Sequence, residues 1–170
     1  MRHLAFGFVA LLALAACTDT SMPGTELGTF KITATPTSNT CGAGTRVPAT
    51  WLFDVELSHD DDLLYWRRND AQVSGPLGAN RTAKIETSVT SVVALPDAGV
   101  VGCVMTRFDT VTVTLGSDTD VTSISGTISL AFAMVEGSDC ASQLSAYGGE
   151  YDALPCTMDF SYTGTRTKAP

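Results

Sequence analysis

Apolar and polar residues alternate with a period of two along most of this chain. The alternation is clearest in four segments: 30–34, 51–57, 128–134 and 158–162. A period of two is typical of a β-strand with one buried face and one solvated face. Segments 83–95 and 100–115 also have strand composition, with abundant Val and Thr. No stretch longer than about ten residues carries a convincing helical stripe, so the pattern predicts about eight strands.

Turn signals separate these segments at intervals of roughly 8–15 residues, which is typical of sequential hairpins. We therefore predict an all-β domain, an antiparallel up-and-down barrel of about eight strands. A two-layer β-sandwich is the alternative. Gly126 lies inside a strand pattern, where a glycine indicates a bulge or a tight bend.

The first sixteen residues follow a different pattern. Arg2 and His3 precede thirteen apolar residues, 4–16. This run is shorter than the roughly 20 residues of a membrane-spanning helix and has the length of a secretory signal. It ends in Leu-Ala-Ala-Cys, which resembles the lipobox of bacterial lipoproteins and implies cleavage before Cys17 and acylation of that residue, with palmitate among the lipids. Thr18, rather than Asp, follows the cysteine, and the resemblance then favours the outer membrane.

These features divide the chain into a signal peptide (1–16), a lipidated tether (17–28) and a single β domain (29–170). The tether is polar, contains Pro and Gly and shows no apolar period. Removing residues 1–16 leaves 154 of the 170 residues, a size typical of one domain. We expect an exported protein of the cell envelope that is held at the membrane by its N-terminal lipid.

The charge of the chain limits its partners. Ten basic and eighteen acidic side chains give a formal net charge of −8, and losing Arg2 with the signal changes it to −9. Nucleic-acid binding needs clustered Lys and Arg, so an acidic chain argues against it. Electrostatic docking on anionic lipid is disfavoured for the same reason. The acyl group would be the membrane link.

Four cysteines follow Cys17 in the sequence: Cys41, Cys103, Cys140 and Cys156. An even number in an exported protein predicts two disulfides, for which three pairings exist. We favour a local Cys140–Cys156 bridge across a Gly-, Ser- and Pro-containing stretch, which leaves Cys41 with Cys103. Zinc cages usually show close cysteine pairs, and no C-x-x-C occurs here, so we predict no metal at these residues.

No catalytic motif is found. After signal removal His59 is the sole histidine, and it lies beside Asp60, Asp61 and Asp62 in what reads as a solvated loop. Calcium loops place their ligands at alternating positions around a glycine, which this run does not. No G-x-S-x-G elbow or phosphate loop occurs. We therefore predict a protein that is not an enzyme and has no cofactor.

One aromatic and basic run is the candidate binding surface. Tyr65 and Trp66 are adjacent, so in a strand one faces inward and the other outward. An outward Trp66 beside Arg67 and Arg68 would mark a partner or sugar surface. Core packing of one ring, with the arginines guarding the strand against aggregation, is the stronger alternative.

The chain after Cys17 resembles small exported lipoproteins with a lipocalin-like barrel. The resemblance rests on a Cys early in the domain, a Cys on a central strand and a late Cys-to-Cys loop. A last strand ending in Gly164-Thr165-Arg166 completes it. The Gly-x-Trp signature of lipocalins is replaced by Gly28-Thr29-Phe30. The resemblance implies a barrel that binds a small apolar ligand or an envelope protein. The alternative is a structural or assembly role with a solid barrel core.

Overall fold

The computed structural model describes residues 21–97, 99, 101–117 and 119–170. The predicted signal peptide, Cys17 and the first residues of the predicted tether lie outside this part of the chain. The strands, both disulfides and the apolar core that the structure describes lie within residues 21–170. This portion therefore contains the described interactions that hold the barrel together.

Eight antiparallel strands account for most of the described residues. They are β1 (Thr25–Asn39), β2 (Trp51–Asp60), β3 (Leu63–Arg68), β4 (Ala71–Pro76), β5 (Thr82–Ala94), β6 (Cys103–Leu115), β7 (Ser123–Met134) and β8 (Cys156–Lys168). Three short 3-10 turns, Ala43–Thr45, Ala141–Gln143 and Ser145–Tyr147, occupy the loops. Within the described ranges, no helix has the length and apolar character required to cross a bilayer.

The strands form one sheet in the order β4-β3-β2-β1-β8-β7-β6-β5. The two end strands meet through an antiparallel bridge between Leu77 and Ala83, so the sheet is a nearly closed barrel. Around the ring each strand lies beside its sequence neighbours, and β8 returns to β1. The predicted all-β up-and-down barrel is confirmed, and the sandwich alternative is wrong because a single sheet curls on itself.

The two ends of the barrel differ. The end at which β1 begins and β8 finishes also carries the turns 61–62, 77–81 and 116–122; we call it the base. The opposite end carries the longer connections 40–50, 95–102 and 135–155; we call it the mouth.

Alternating apolar residues fill the interior from the base upward. The buried core comprises Phe30, Ile32, Ala34, Val55, Leu57, Leu64, Trp66, Ala83, Ile85, Val113, Leu115, Val121, Ile124, Ile128, Phe160 and Tyr162. Because these residues come from most of the strands, their burial fixes which face of each strand points inward.

Both disulfides are at the mouth, and their pairing differs from the prediction. Cys41 bonds Cys156 with a Cα–Cα distance of 4.9 Å, and Cys103 bonds Cys140 at 4.7 Å. The expected Cys140–Cys156 and Cys41–Cys103 pairs are wrong. β1 and β8 are neighbours in the sheet, so Cys41, just past the end of β1, meets the first residue of β8. Similarly, Cys103 begins β6 and Cys140 follows β7, the adjacent strand.

β1 begins at Thr25, four residues before the predicted start of the domain at Thr29. The extra residues pair with the end of β2, where Glu26 lies opposite Ser58, and a bulge separates Glu26 from Gly28. Gly28 has a φ of 107°, a conformation that favours glycine. This part of the strand is rich in turn-forming residues, so its local pattern did not predict a strand. It is a strand because it pairs with β2, which is far away in the sequence.

Gly126 does not form the predicted bulge. It pairs in register with Val113 and Tyr162. A Cβ at this position would collide with the carbonyl oxygen of Thr112 and approach the hydroxyl of Tyr162. That hydroxyl donates a 2.8 Å hydrogen bond to the same carbonyl. The glycine therefore gives Tyr162 access to a backbone acceptor, which is the other reason for glycine within a strand.

Candidate ligand-binding site

The residues of the predicted Trp66-Arg67-Arg68 surface point to opposite sides of β3. Trp66 is only 5% exposed and packs inside the barrel, with its ring centroid 5.9 Å from that of Tyr162. The outward Trp66 is therefore wrong, and core packing of this ring, the stronger of the two interpretations, is confirmed. Arg67 lies on the outer face, where its Nε donates a 2.8 Å hydrogen bond to Glu56. Arg68, two residues after Trp66, lies on the inner face.

Arg68 occupies the mouth side of the interior. Its Cζ lies 4.7 Å from the ring centroid of Trp51 and 4.5 Å from that of Phe53, both on β2. Such contacts are favourable cation–π interactions. Burial, and then the positive charge of Arg107, lower the pKa of Arg68. The interior therefore contains a partly desolvated guanidinium close to a second one.

Arg107, on β6, is the second guanidinium. Its register partners are Val89 on β5 and Phe132 on β7. It shares the inner face of β6 with the buried Val113, because the two residues are an even number of positions apart. Arg107 makes two 2.8 Å hydrogen bonds to the carboxylate of Asp109.

A cavity of about 220 Å³ opens at this wall of the mouth. Strands β5, β6 and β7 and the loop before β8 contribute its lining: Val89, Ser91, Val93, Met105, Arg107, Phe132 and Tyr151. Mostly apolar side chains with a few polar groups are the usual composition of a small-molecule site. The volume is below the roughly 300 Å³ of drug-sized pockets, so this cavity suits a small ligand or one end of a longer one.

Tyr151 forms the loop side of this cavity. Its ring centroid lies 5.6 Å from that of Phe132. Burial, and then the negative charge of Glu150, raise the pKa of Tyr151, while Arg107 opposes the shift. The hydroxyl therefore stays protonated at neutral pH and is available as a hydrogen-bond donor.

The loop that carries Tyr151 is held in place from several sides. The Cys103–Cys140 disulfide ties its start to β6, and both cysteines are fully buried beside Met105. The amide of Tyr151 donates to the carbonyl of Gln143 at 3.0 Å. The amide of Asp152 donates to the carbonyl of Cys41 at 2.8 Å. The disulfide and these hydrogen bonds therefore hold the loop side of the cavity in a defined arrangement.

Two other hollows lie elsewhere and are more polar. One of about 180 Å³ lies near the base between Glu26, Lys168 and Met22. Another, of about 230 Å³, lies on the outer face beside Asp54 and Arg67. Neither reaches the inner face at the mouth, which combines apolar walls with charged groups.

No cluster of three His, Cys, Asp or Glu side chains able to hold a metal occurs within the ranges that the structure describes. His59 lies near the end of β2, opposite Leu64, at the base. It is therefore at the other end of the barrel from the cavity. The acidic run after it forms the β2–β3 turn.

The sequence analysis named Arg68 as part of an outward surface and did not name Arg107, Asp109 or Tyr151. The alternation in β6 contained a usable signal, since Arg107 and Asp109 have the same parity as Val111 and Val113. Two charged residues on the apolar face of a strand indicate that the barrel interior becomes polar at that level. No family model, no curated protein and no solved structure matches this chain.

Proposed function

We propose that this protein is a membrane-anchored bacterial lipoprotein, lipidated at Cys17 at the outer membrane, whose barrel binds a small apolar ligand without catalysing a reaction. The cavity at the mouth carries this proposal. Its walls are apolar, its loop side is braced by a disulfide, and it opens to solvent between half-exposed Val89 and Val93. A preformed apolar hollow with a few polar groups is the usual form of a ligand site.

The position of the chain start supports the same arrangement. β1 begins at the base, so a lipid on Cys17 would be joined to the barrel at the end opposite the mouth. Residues 17–24 would form the connection. The cavity would then open away from the anchoring bilayer, where a ligand can enter from the aqueous compartment.

Filling the cavity should abolish binding. We expect residues 21–170 to bind 1-octanol, with amide chemical-shift changes in a ¹H–¹⁵N spectrum at Phe132 and Tyr151. Ser91 faces the cavity, and Ser91→Trp should weaken octanol binding at least about tenfold because the indole occupies the apolar space.

Ser88→Trp is the matched control. Ser88 lies on β5 an odd number of residues from Ser91 and therefore on the outer face, opposite Phe108. This variant should bind octanol like the unmodified protein. Equal losses in both variants, or no shifts at the mouth with the unmodified protein, would refute the ligand-binding proposal.

Lipidation has its own test. Cells fed an alkynyl palmitate should label the full-length protein, and Cys17→Ser should lose that label because the acylated thiol is gone. Thr18→Ser, at the adjacent position, should keep it. Continued labelling of the Cys17→Ser protein would show that the lipid is not on this residue.

A structural or assembly role with a solid barrel core is the second candidate. It is favoured by the dense packing of the barrel from the base upward and by the modest volume of the cavity. In this case the apolar rim of the mouth would contact an envelope protein. The rim includes Leu95, Val101 and Tyr147, which are 79%, 55% and 72% exposed. A protein that binds no octanol but co-purifies from its own membrane with one envelope protein would support this role.

A further inference from the structure

We propose that the ligand of the mouth is an anionic amphiphile whose carboxylate is held between Arg68 and Arg107 while its short apolar tail enters the cavity. The inference rests on the proposed ligand-binding function and specifies the chemistry of that ligand. It comes from the placement of two guanidinium groups on the inner wall of an acidic protein.

The side chains of Arg68 and Arg107 both lie on the inner faces of their strands. Arg68 follows the buried Trp66 by two residues on β3, and Arg107 precedes the inward Val111 by four on β6. Side chains an even number of positions apart lie on the same face of a strand. Both guanidinium groups therefore lie on the inner surface at the mouth, from β3 and from β6, strands that are not neighbours in the sheet.

Arg68 and Arg107 differ in whether a carboxylate of the protein pairs with them. Within the described ranges no carboxylate pairs with Arg68, whose contacts are the rings of Trp51 and Phe53. Arg107 is paired with Asp109. Arg68, Arg107 and Asp109 together thus keep one net positive charge on the inner strand faces, in a chain whose formal net charge is −8. Arg68 is partly buried, and even partial burial of a charge without a counter-ion costs free energy. A ligand carboxylate would supply the missing partner.

Apolar surface lies beside these charges. Phe132 and Val89 flank Arg107 in the register, and the cavity that they line holds about 220 Å³. At roughly 30 Å³ for a water-sized group, this volume admits about seven such groups. A short acyl chain fits the cavity with its charged end at the arginines, whereas a two-chain phospholipid would remain mostly outside.

Octanoate and 1-octanol, which have tails of equal length, provide the test. We expect residues 21–170 to bind octanoate about 10- to 100-fold more tightly than octanol, the range expected for a hydrogen bond to a charged group. The advantage should shrink as NaCl is raised from about 50 to 500 mM, because salt screens exposed charges. Titrations followed at the Phe132 and Tyr151 amides would measure both affinities.

Matched variants assign the effect to the inner face. Arg68→Met retains an apolar stem over the two rings and should reduce octanoate affinity to that of octanol, with octanol binding unchanged. Arg67→Met removes the same charge from the outer face of the same strand and should leave both affinities unchanged. Asp109→Asn should strengthen octanoate binding severalfold, because Arg107 loses its competing carboxylate.

The outcomes separate the two proposals. Octanol binding at the mouth with no advantage for octanoate would overturn this inference and leave the proposed function standing. Binding of neither compound would overturn both. Equal losses of octanoate affinity in the Arg67 and Arg68 variants would show that the effect depends only on the net charge of the protein, and would overturn the inference. If Arg68→Met fails to fold, the octanoate-to-octanol ratio of the unmodified protein and the response of Asp109→Asn still decide it.

Discussion

Replacing Cys41 and Cys156 together by Ala is expected to lower the free energy of unfolding of residues 21–170 by about 4–5 kcal/mol. The two cysteines are 115 residues apart in the sequence. In the chain-entropy model a loop of this length restricts the unfolded chain by roughly 4.8 kcal/mol, and the second disulfide, nested inside it, reduces this slightly. Urea unfolding monitored by tryptophan fluorescence would measure the loss.

The companion double variant, Cys103→Ala with Cys140→Ala, is the matched control. Its cysteines are 37 residues apart, so the same model gives about 3.8 kcal/mol. This variant should lose about 1 kcal/mol less than the first. An equal or reversed order would contradict the loop-length explanation.

The same two variants report the connectivity independently of stability. With the pairing seen in the structure, each double variant removes one complete disulfide and leaves no free thiol in residues 21–170. If the bridges were Cys41–Cys103 and Cys140–Cys156, each double variant would leave two cysteines without their disulfide partners. Titration with a thiol reagent under denaturing conditions should therefore find no thiol, and two per chain would disprove the observed pairing.

Trp66→Ala is expected to cost about 3–5 kcal/mol, the range for truncating a buried aromatic residue. The indole is 5% exposed. Its centroid lies 6.5 Å from that of Phe53 and 5.9 Å from that of Tyr162, so its loss opens a void between three strands. The void cannot close without moving the barrel wall, which is why the cost should approach the upper end.

Tyr65→Ala is the control for that substitution. Tyr65 is adjacent to Trp66 on β3 but faces outward, opposite Ser58 and Ser74. Its truncation should cost about 1 kcal/mol or less. Urea midpoints of the two variants give the comparison directly. If Tyr65→Ala lowered the stability more than Trp66→Ala, the opposite face of β3 would point into the barrel, and Arg68 would lie on the outer surface.

The alternation of apolar residues was sufficient to predict the fold class. In β7 the inward positions from 128 to 134 are apolar, and in β8 those from 158 to 162 are apolar or aromatic, so period two emerges without knowledge of partners. Hairpin spacing then predicted the ring order, because short connections join antiparallel neighbours. The even set of cysteines after Cys17 likewise predicted that all four would be bridged.

Which side chains of β3 point into the barrel could not be predicted in the same way. Leu63 and Leu64 are both apolar, and Tyr65 and Trp66 are both aromatic, so the segment has no period of its own. Pairing with β2 settled it, since Trp66 lies opposite the buried Leu57. That register also assigned Arg68 to the interior and Arg67 to the surface.

Local sequence thus determined the strands, their antiparallel order and the number of bridged cysteines, because a strand's pleat imposes its period on the residues themselves. Only the nearly closed barrel decided which cysteines meet and which charges share the mouth. Cys41 reaches Cys156 because β8 returns beside β1. Arg107 faces the same interior as Arg68 because the sheet curls on itself. Contacts between residues far apart in the chain depend on closure of the ring, which no local pattern records.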